Sequence, residues 1–134
     1  MISIVLVDDQ PAILAGMATM IENTGIAEVV ATETDGAGAI SAALSHKPDL
    51  ILLDVSLGQE SGIDVARKLF ESWADAKVLA VSAHDDSVYV RGMINAGAAG
   101  YMLKDNSPGE IVNAINTIMN GGQWLSDGLM PDPG

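Results

Sequence analysis

The sequence predicts an α/β domain: a doubly wound, five-stranded parallel sheet with helices on both faces. Five short apolar runs recur along 134 residues, each followed by a segment of helical period. Three of these runs are apolar nearly throughout instead of alternating, as strands are when both faces of a parallel sheet are covered. A chain of 134 residues is one ordinary domain, too short for the roughly 250 residues of a (β/α)₈ barrel. Strand–helix alternation in so short a chain therefore points to an open sheet with right-handed crossovers.

The first run, Ile2-Ser3-Ile4-Val5-Leu6-Val7, leads into a helix with Pro11 at its first position and Ile13, Leu14, Met17, Met20 and Ile21 on one face; Gly25 closes it. The second run, Ala27–Thr32, is weaker and more polar, as an edge strand would be. Asp35 can cap the next helix, which runs through Ile40, Ala43 and Leu44 and ends before Lys47-Pro48. The third run is Leu50–Leu53, followed by a helix marked by Val65, Leu69 and Phe70. The fourth is Val78–Val81, followed by a helix opened by Asp85 or Asp86, carrying Val88, Val90, Met93 and Ile94, and closed by Gly97. The fifth, Ala98–Leu103, precedes the capping box Ser107-Pro108-Gly109-Glu110 and an apolar face of Ile111, Val112, Ile115, Ile118 and Met119, ended by Gly121-Gly122. The expected division is a domain over residues 1–122 and a tail or linker stub over 123–134, with Trp124 in a packed turn.

Composition removes several function classes. There is no cysteine, so disulfide scaffolds, thiolate metal sites and Cys nucleophiles are excluded. Eighteen acidic against six basic residues give a formal charge of −12, which repels phosphate backbones and favours cations or basic partners. Aromatic residues are 4% of the chain, too few for base-stacking platforms. No apolar stretch is long enough to span a bilayer, and the N-terminus lacks the pattern of a signal peptide. The expectation is a cytoplasmic protein with no membrane association.

In an open parallel sheet, ligands bind at the carboxyl ends of the strands. Strand one ends in Asp8-Asp9, strand three in Asp54, strand four in Ser82 with His84 close behind, and strand five in Lys104; Glu33 ends the edge strand. Carboxylates gathered at one sheet edge repel: two unit charges at about 4 Å cost roughly 4 kcal/mol at an effective dielectric of 20. Such a cluster persists when a hard divalent cation neutralises it or when one member keeps its proton. An oxygen-only donor set suits Mg²⁺, often shared with a phosphate. A carboxylate nucleophile, a Mg²⁺, an ammonium and a hydroxyl are the parts that phosphoryl transfer to an Asp requires.

These residues resemble the receiver domain of two-component response regulators over essentially the whole chain. The match runs through Val7-Asp8-Asp9, Leu53-Asp54-Val55 with Gly62 eight residues after Asp54, Val81-Ser82-Ala83, and Gly97-Ala98-Ala99-Gly100-Tyr101-Met102-Leu103-Lys104. The run from Gly100 to Asp105, then Ser107-Pro108 and a helix ending in Gly-Gly, is most similar to the LuxR-type (NarL/FixJ) branch. The resemblance implies a flavodoxin-like sheet of order 2-1-3-4-5. It implies that Asp54 is phosphorylated by a sensor histidine kinase, with Lys104 and Ser82 as its partners in the chemistry. Asp9, Asp54 and the backbone carbonyl of Ser56 would hold Mg²⁺, with Asp8 acting through water or from behind the direct ligands. Ser82 and Tyr101 would form the switch. Beyond phosphorylating and dephosphorylating itself, such a domain is not an enzyme. A homodimer on phosphorylation, and DNA binding through a C-terminal helix-turn-helix domain absent from this chain, complete the expectation.

Three positions depart from the family pattern. Leu57-Gly58 stands where Met-Pro is usual, which is expected to loosen the loop after Asp54, and Asp105 stands where many receivers have Pro. Plain alternatives exist for each residue. Asp8 and Asp9 could cap the first helix, Ser82 could be a loop serine, and Tyr101 could be a half-buried aromatic on an edge strand. Three other functions compete: a Mg²⁺-dependent phosphohydrolase, a flavin or nucleotide binder, and a receiver that only binds partners. The first lacks a second Asp two residues after the nucleophile, and the second lacks a phosphate loop after strand one. The third is disfavoured because no expected acidic, hydroxyl or Lys position is lost.

Overall fold

The computed structural model describes residues 1–83, 87–104 and 108–126. The elements are β1 (Ile2–Val7), α1 (Pro11–Asn23), β2 (Ala27–Glu33), α2 (Gly36–His46), β3 (Leu50–Asp54), β4 (Ser56–Leu57), β5 (Glu60–Ser61), α3 (Gly62–Ser72), β6 (Val78–Ser82), α4 (Ser87–Ala96), β7 (Gly100–Leu103), α5 (Pro108–Met119) and β8 (Trp124–Leu125). The main sheet runs β2-β1-β3-β6-β7-β8, all parallel. Its first five members are the five apolar runs in the expected order 2-1-3-4-5.

Two differences from the sequence reading concern the short elements. The sheet has six strands: Trp124–Leu125, expected in a turn, pairs with Gly100–Tyr101 and covers the edge of β7. The loop after Asp54 is not loose. Ser56 pairs with Ser61 and Leu57 with Glu60 in an antiparallel hairpin that turns through Gly58 at φ +63°. The Glu60 carboxylate accepts the Gly36 N–H at 2.9 Å, tying this hairpin to the start of α2. The expected helix openings at Asp85 or Asp86 and at Ser107, as well as His84 and Asp105, lie outside the described residues.

The strands are apolar on both sides because each side is covered. Val5, Val7, Ile51, Leu53, Val78 and Ala80 pack against α2, α3 and α4, through Ala39, Ala43, Val65, Leu69, Val90 and Met93 among others. The alternate residues Ile4, Leu6, Leu50, Leu52, Leu79 and Val81 pack against Leu14 and Ile21 of α1 and Ile111, Ala114, Ile115 and Ile118 of α5. Each fully buried Leu or Ile contributes about 1.5–3 kcal/mol relative to exposure.

Local chemistry sets the helix starts. Pro11 opens α1, the Asp35 side chain accepts the Gly38 N–H at 2.7 Å to cap α2, and the Ser61 hydroxyl accepts the Ile63 N–H at 3.2 Å to cap α3. This layered packing carries all the strand ends that bear chemistry to one edge of the sheet.

Candidate functional site

Asp8 follows the last residue of β1, and Asp54 is the last residue of β3, its neighbour in the sheet. Both are withdrawn from solvent, at 2% and 5% exposure. Each is oriented by the same local device. Asp8 Oδ1 accepts the N–H of Gln10 at 2.9 Å, and Asp54 Oδ1 accepts the N–H of Ser56 at 3.1 Å. An Asp accepting the amide two residues on is an Asx turn, which strand-terminal Asp residues favour. This leaves the second oxygen of each carboxylate free to face the other strand ends. The helix-capping alternative for Asp8 does not hold: Gln10 is the residue before α1, and no side chain caps it.

Lys104, the residue after β7, fills that space. Its ammonium lies 2.8 Å from Asp8 Oδ2 and 3.0 Å from Asp54 Oδ2. Lys104 pairs with Asp54 as expected, and the same ammonium also bridges to Asp8, a contact the sequence did not predict. Asp9 is exposed, and one carboxylate oxygen from each of Asp8, Asp9 and Asp54 lies within 4.8 Å of the others. A depression of about 220 Å³ over these groups is lined by Asp9, Gln10, Asp54, Ser56, Gly58, Ala83 and Lys104.

The charge balance is incomplete. Three carboxylates face one ammonium, so two negative charges are left for a cation or a proton. Burial pushes the Asp54 carboxyl above the ordinary carboxylate range; the Ser56 N–H and the Lys104 ammonium oppose this shift, and the charge of Asp8 reinforces it. Burial disfavours the Lys104 ammonium, but its hydrogen bonds to Asp8 and Asp54 and their charges outweigh that, and Lys104 is held above the usual lysine value. The donors are all oxygens at the mouth of an open depression, which fits a hard divalent cation that keeps part of its water shell.

Ser82 ends β6 and is fully buried, and its carbonyl accepts the Lys104 N–H at 2.8 Å, binding the lysine's backbone to the neighbouring strand. Tyr101 is fully buried as well, opposite Ala80 in the register of β6 and β7. The plain reading of Tyr101 as a half-buried edge residue is therefore corrected, because β8 covers what would have been the edge. Ser56 is exposed beside the depression. The structure thus gathers Asp8, Asp9, Asp54, Ser56 and Lys104 around one depression, with Ser82 and Tyr101 on the strands behind it.

Gly62, the first residue of α3, is required by a close approach. A Cβ there would strike the carbonyl oxygen of Asp54, while the Gly62 N–H donates to the Val55 carbonyl at 2.6 Å. The helix start is held against the strand end that presents Asp54. The sequence reading missed the contributions of Gln10, Gly58 and Glu60. Gln10 was legible as the amide two residues after a strand-ending Asp; the reach of Glu60 to Gly36 spans 24 residues and had no local signal.

A parallel sheet of this order, with acidic residues on its central strand ends and a lysine reaching across them, defines a response-regulator receiver. The family model for the response regulator receiver domain matches residues 4–116, and the chain belongs to that family. Within it, the chain falls among LuxR-family regulators. It is 30% identical to a two-component response regulator of the LuxR family from Aurantimonas, with a TM-score of 0.91 and coverage of 96% of this chain and 91% of that one. It is 32% identical to the transcriptional regulatory protein DegU of Brevibacillus brevis over 92% of this chain, and 34% identical to the oxygen regulatory protein NreC of Staphylococcus epidermidis over 91%. The chain spans 52% of the length of that DegU and 56% of that NreC. Among the described residues, no helix is long and apolar enough to cross a membrane.

Proposed function

We propose that this chain is the phosphoacceptor module of a two-component pathway and that Asp54 takes the phosphoryl group. The observation that carries the reading is the ammonium of Lys104 bridging two buried carboxylates, with a third, exposed carboxylate close by and net negative charge left for a divalent cation.

A carboxylate oxygen of Asp54 attacks phosphorus. The bond from phosphorus to a kinase histidine nitrogen breaks, and the imidazole leaves with the electron pair and takes up a proton. Asp9, Asp54 and the backbone carbonyl of Ser56 would hold Mg²⁺, with Asp8 as a less direct ligand. The ion, when bound, offsets charge on the phosphoryl oxygens. Lys104 pairs with a phosphoryl oxygen once Asp54 has become an acyl phosphate, and Ser82 donates its hydroxyl to another. Tyr101, on the strand next to that of Ser82, changes rotamer with it, so the added charge shifts a two-state equilibrium. The chain phosphorylates and dephosphorylates itself and turns over no other substrate. It works in the cytoplasm, and its regulator controls transcription through a helix-turn-helix output domain.

Incubation with Mg²⁺ and acetyl phosphate, read by intact mass, tests this. The expected result is one added phosphoryl group, lost in Asp54→Asn and lost with chelator. Incorporation that persists in Asp54→Asn overturns the assignment.

The partner of the phosphorylated form is a second copy. On a chain of net charge −12, the groove between α1 and α5, about 460 Å³ and lined by Gly16, Thr19, Met20, Asn23, Thr24, Gly109 and Val112, carries no charge among its described residues. Two copies approach there without the repulsion they meet elsewhere. Sedimentation with and without beryllofluoride reads the state directly; a monomer in both conditions refutes it.

A further inference from the structure

The segment that follows α5 is bonded to β7, the strand that leads into Lys104, and lies outside both the family match and the site motifs. Residues 124–126 lie beyond the matched residues 4–116. They are nevertheless bonded along β7 by a regular ladder. The Trp124 N–H donates to the Ala99 carbonyl at 3.1 Å, and the Ser126 N–H donates to the Tyr101 carbonyl at 3.1 Å. The Ser126 hydroxyl, almost fully buried, accepts the N–H of Leu103 at 3.0 Å.

The approach is close enough to dictate sequence. A Cβ on Gly100 would sit 2.5 Å from the Trp124 carbonyl oxygen, so the glycine at the start of β7 leaves room for β8. Trp124 packs on the α1/α5 side of the sheet and Leu125 on the other, so β8 shares both cores.

Leu103 is the residue before Lys104. The end of β7 is therefore clamped from two sides. On one, the Lys104 N–H is bonded to the Ser82 carbonyl; on the other, the Leu103 N–H is bonded to the Ser126 hydroxyl. Consecutive amides of a parallel strand point to opposite neighbours, so neither bond can replace the other. The clamp sets where the Lys104 side chain starts, and that side chain must reach Asp8 and Asp54 at once.

We propose that Ser126 is a positioning residue for Lys104, and that β8 is consequently the strand through which events at Asp54 reach the chain beyond residue 126. The proposal rests on the phosphoacceptor reading of Asp54. When the lysine exchanges its bridge between two carboxylates for a phosphoryl oxygen, the end of β7 shifts. The Leu103–Ser126 bond transmits that shift to β8, directly before the residues that continue the chain.

The two tryptophans make this measurable. Trp73 caps the end of α3, beneath the Lys47 ammonium 4.6 Å from its ring centroid, and Trp73→Phe leaves Trp124 on β8 as the sole tryptophan, excited selectively at the red edge where the two tyrosines do not absorb. In that background, Mg²⁺ with beryllofluoride is expected to shift Trp124 emission, and Asp54→Asn to abolish the shift. Adding Ser126→Ala should reduce the shift and raise the half-saturating beryllofluoride concentration about two- to tenfold, the range for one lost hydrogen bond. Ser126→Thr, which keeps the hydroxyl, should return both toward the parent.

A silent Trp124 in a chain whose mass still rises with acetyl phosphate overturns the coupling and leaves the phosphoacceptor reading standing. No mass gain at all overturns both. Ser126→Ala titrating like the parent, or Ser126→Thr behaving like Ser126→Ala, assigns Ser126 to packing alone and overturns its positioning role.

Discussion

Replacing Lys104 by Met tests the electrostatic core of the site. The side chain keeps much of its length but loses the ammonium that lies 2.8 Å from Asp8 and 3.0 Å from Asp54. Both carboxylates are nearly fully buried, and each retains a backbone N–H on its other oxygen. Removing one partner of a fully buried pair costs about 3–5 kcal/mol. Here the lysine side chain is 22% exposed, and proton uptake by a carboxylate limits the penalty, so about 2–3 kcal/mol is expected at pH 7 in chelator. At about 4 °C per kcal/mol for a domain of this size, that lowers Tm by about 8–12 °C. Mg²⁺ should recover more of the loss in the variant than it adds to the wild type, because the wild-type ammonium already offsets part of the charge. The deficit should also shrink towards pH 4, where proton uptake replaces the lost cation. Thermal unfolding followed by circular dichroism, in chelator and in Mg²⁺ at both pH values, reads all three effects. A variant within about 2 °C of the wild type in chelator, or a deficit unmoved by Mg²⁺, would refute the bridging role.

Other outcomes follow from the same geometry. Asp54→Asn should raise Tm in chelator and lose most of the Mg²⁺-dependent gain: burial raises the folded-state pKa of Asp54, so its ionised form opposes folding as pH climbs above about 3.9. Lys104 behaves in the opposite sense. Its raised pKa adds stability that is fully present below about 10.4 and is lost as pH rises through the higher folded value, so alkaline unfolding of the wild type should begin later than that of Lys104→Met. Gly62→Ala forces a Cβ against the Asp54 carbonyl and should cost about 3 kcal/mol in urea unfolding, with a weaker Mg²⁺ response because Asp54 moves. Asp35→Ala removes the cap on the Gly38 N–H and should cost about 1 kcal/mol without touching the Mg²⁺ response.

The five long strands and the convergence of Asp8, Asp9, Asp54 and Lys104 were legible in the residues themselves, and the strand order came with the resemblance to the receiver family. Runs of four to six apolar residues without alternation, each set between helical segments, read as strands buried on both faces, and a polar residue that ends such a run emerges at the sheet edge. The Asx turns at Asp8 and Asp54 are equally local, since donor and acceptor are two residues apart. Four features were decided only by tertiary structure: the sixth strand, the hairpin after Asp54, the complete burial of Tyr101, and the double pairing of Lys104. Each depends on partners far apart in the chain. A two-residue strand such as Trp124–Leu125 has no period to read, and it exists because β7 offers an unpaired edge with a glycine where the backbones meet. Periodicity reports what a segment can bury; which neighbour buries it is settled when the segments meet.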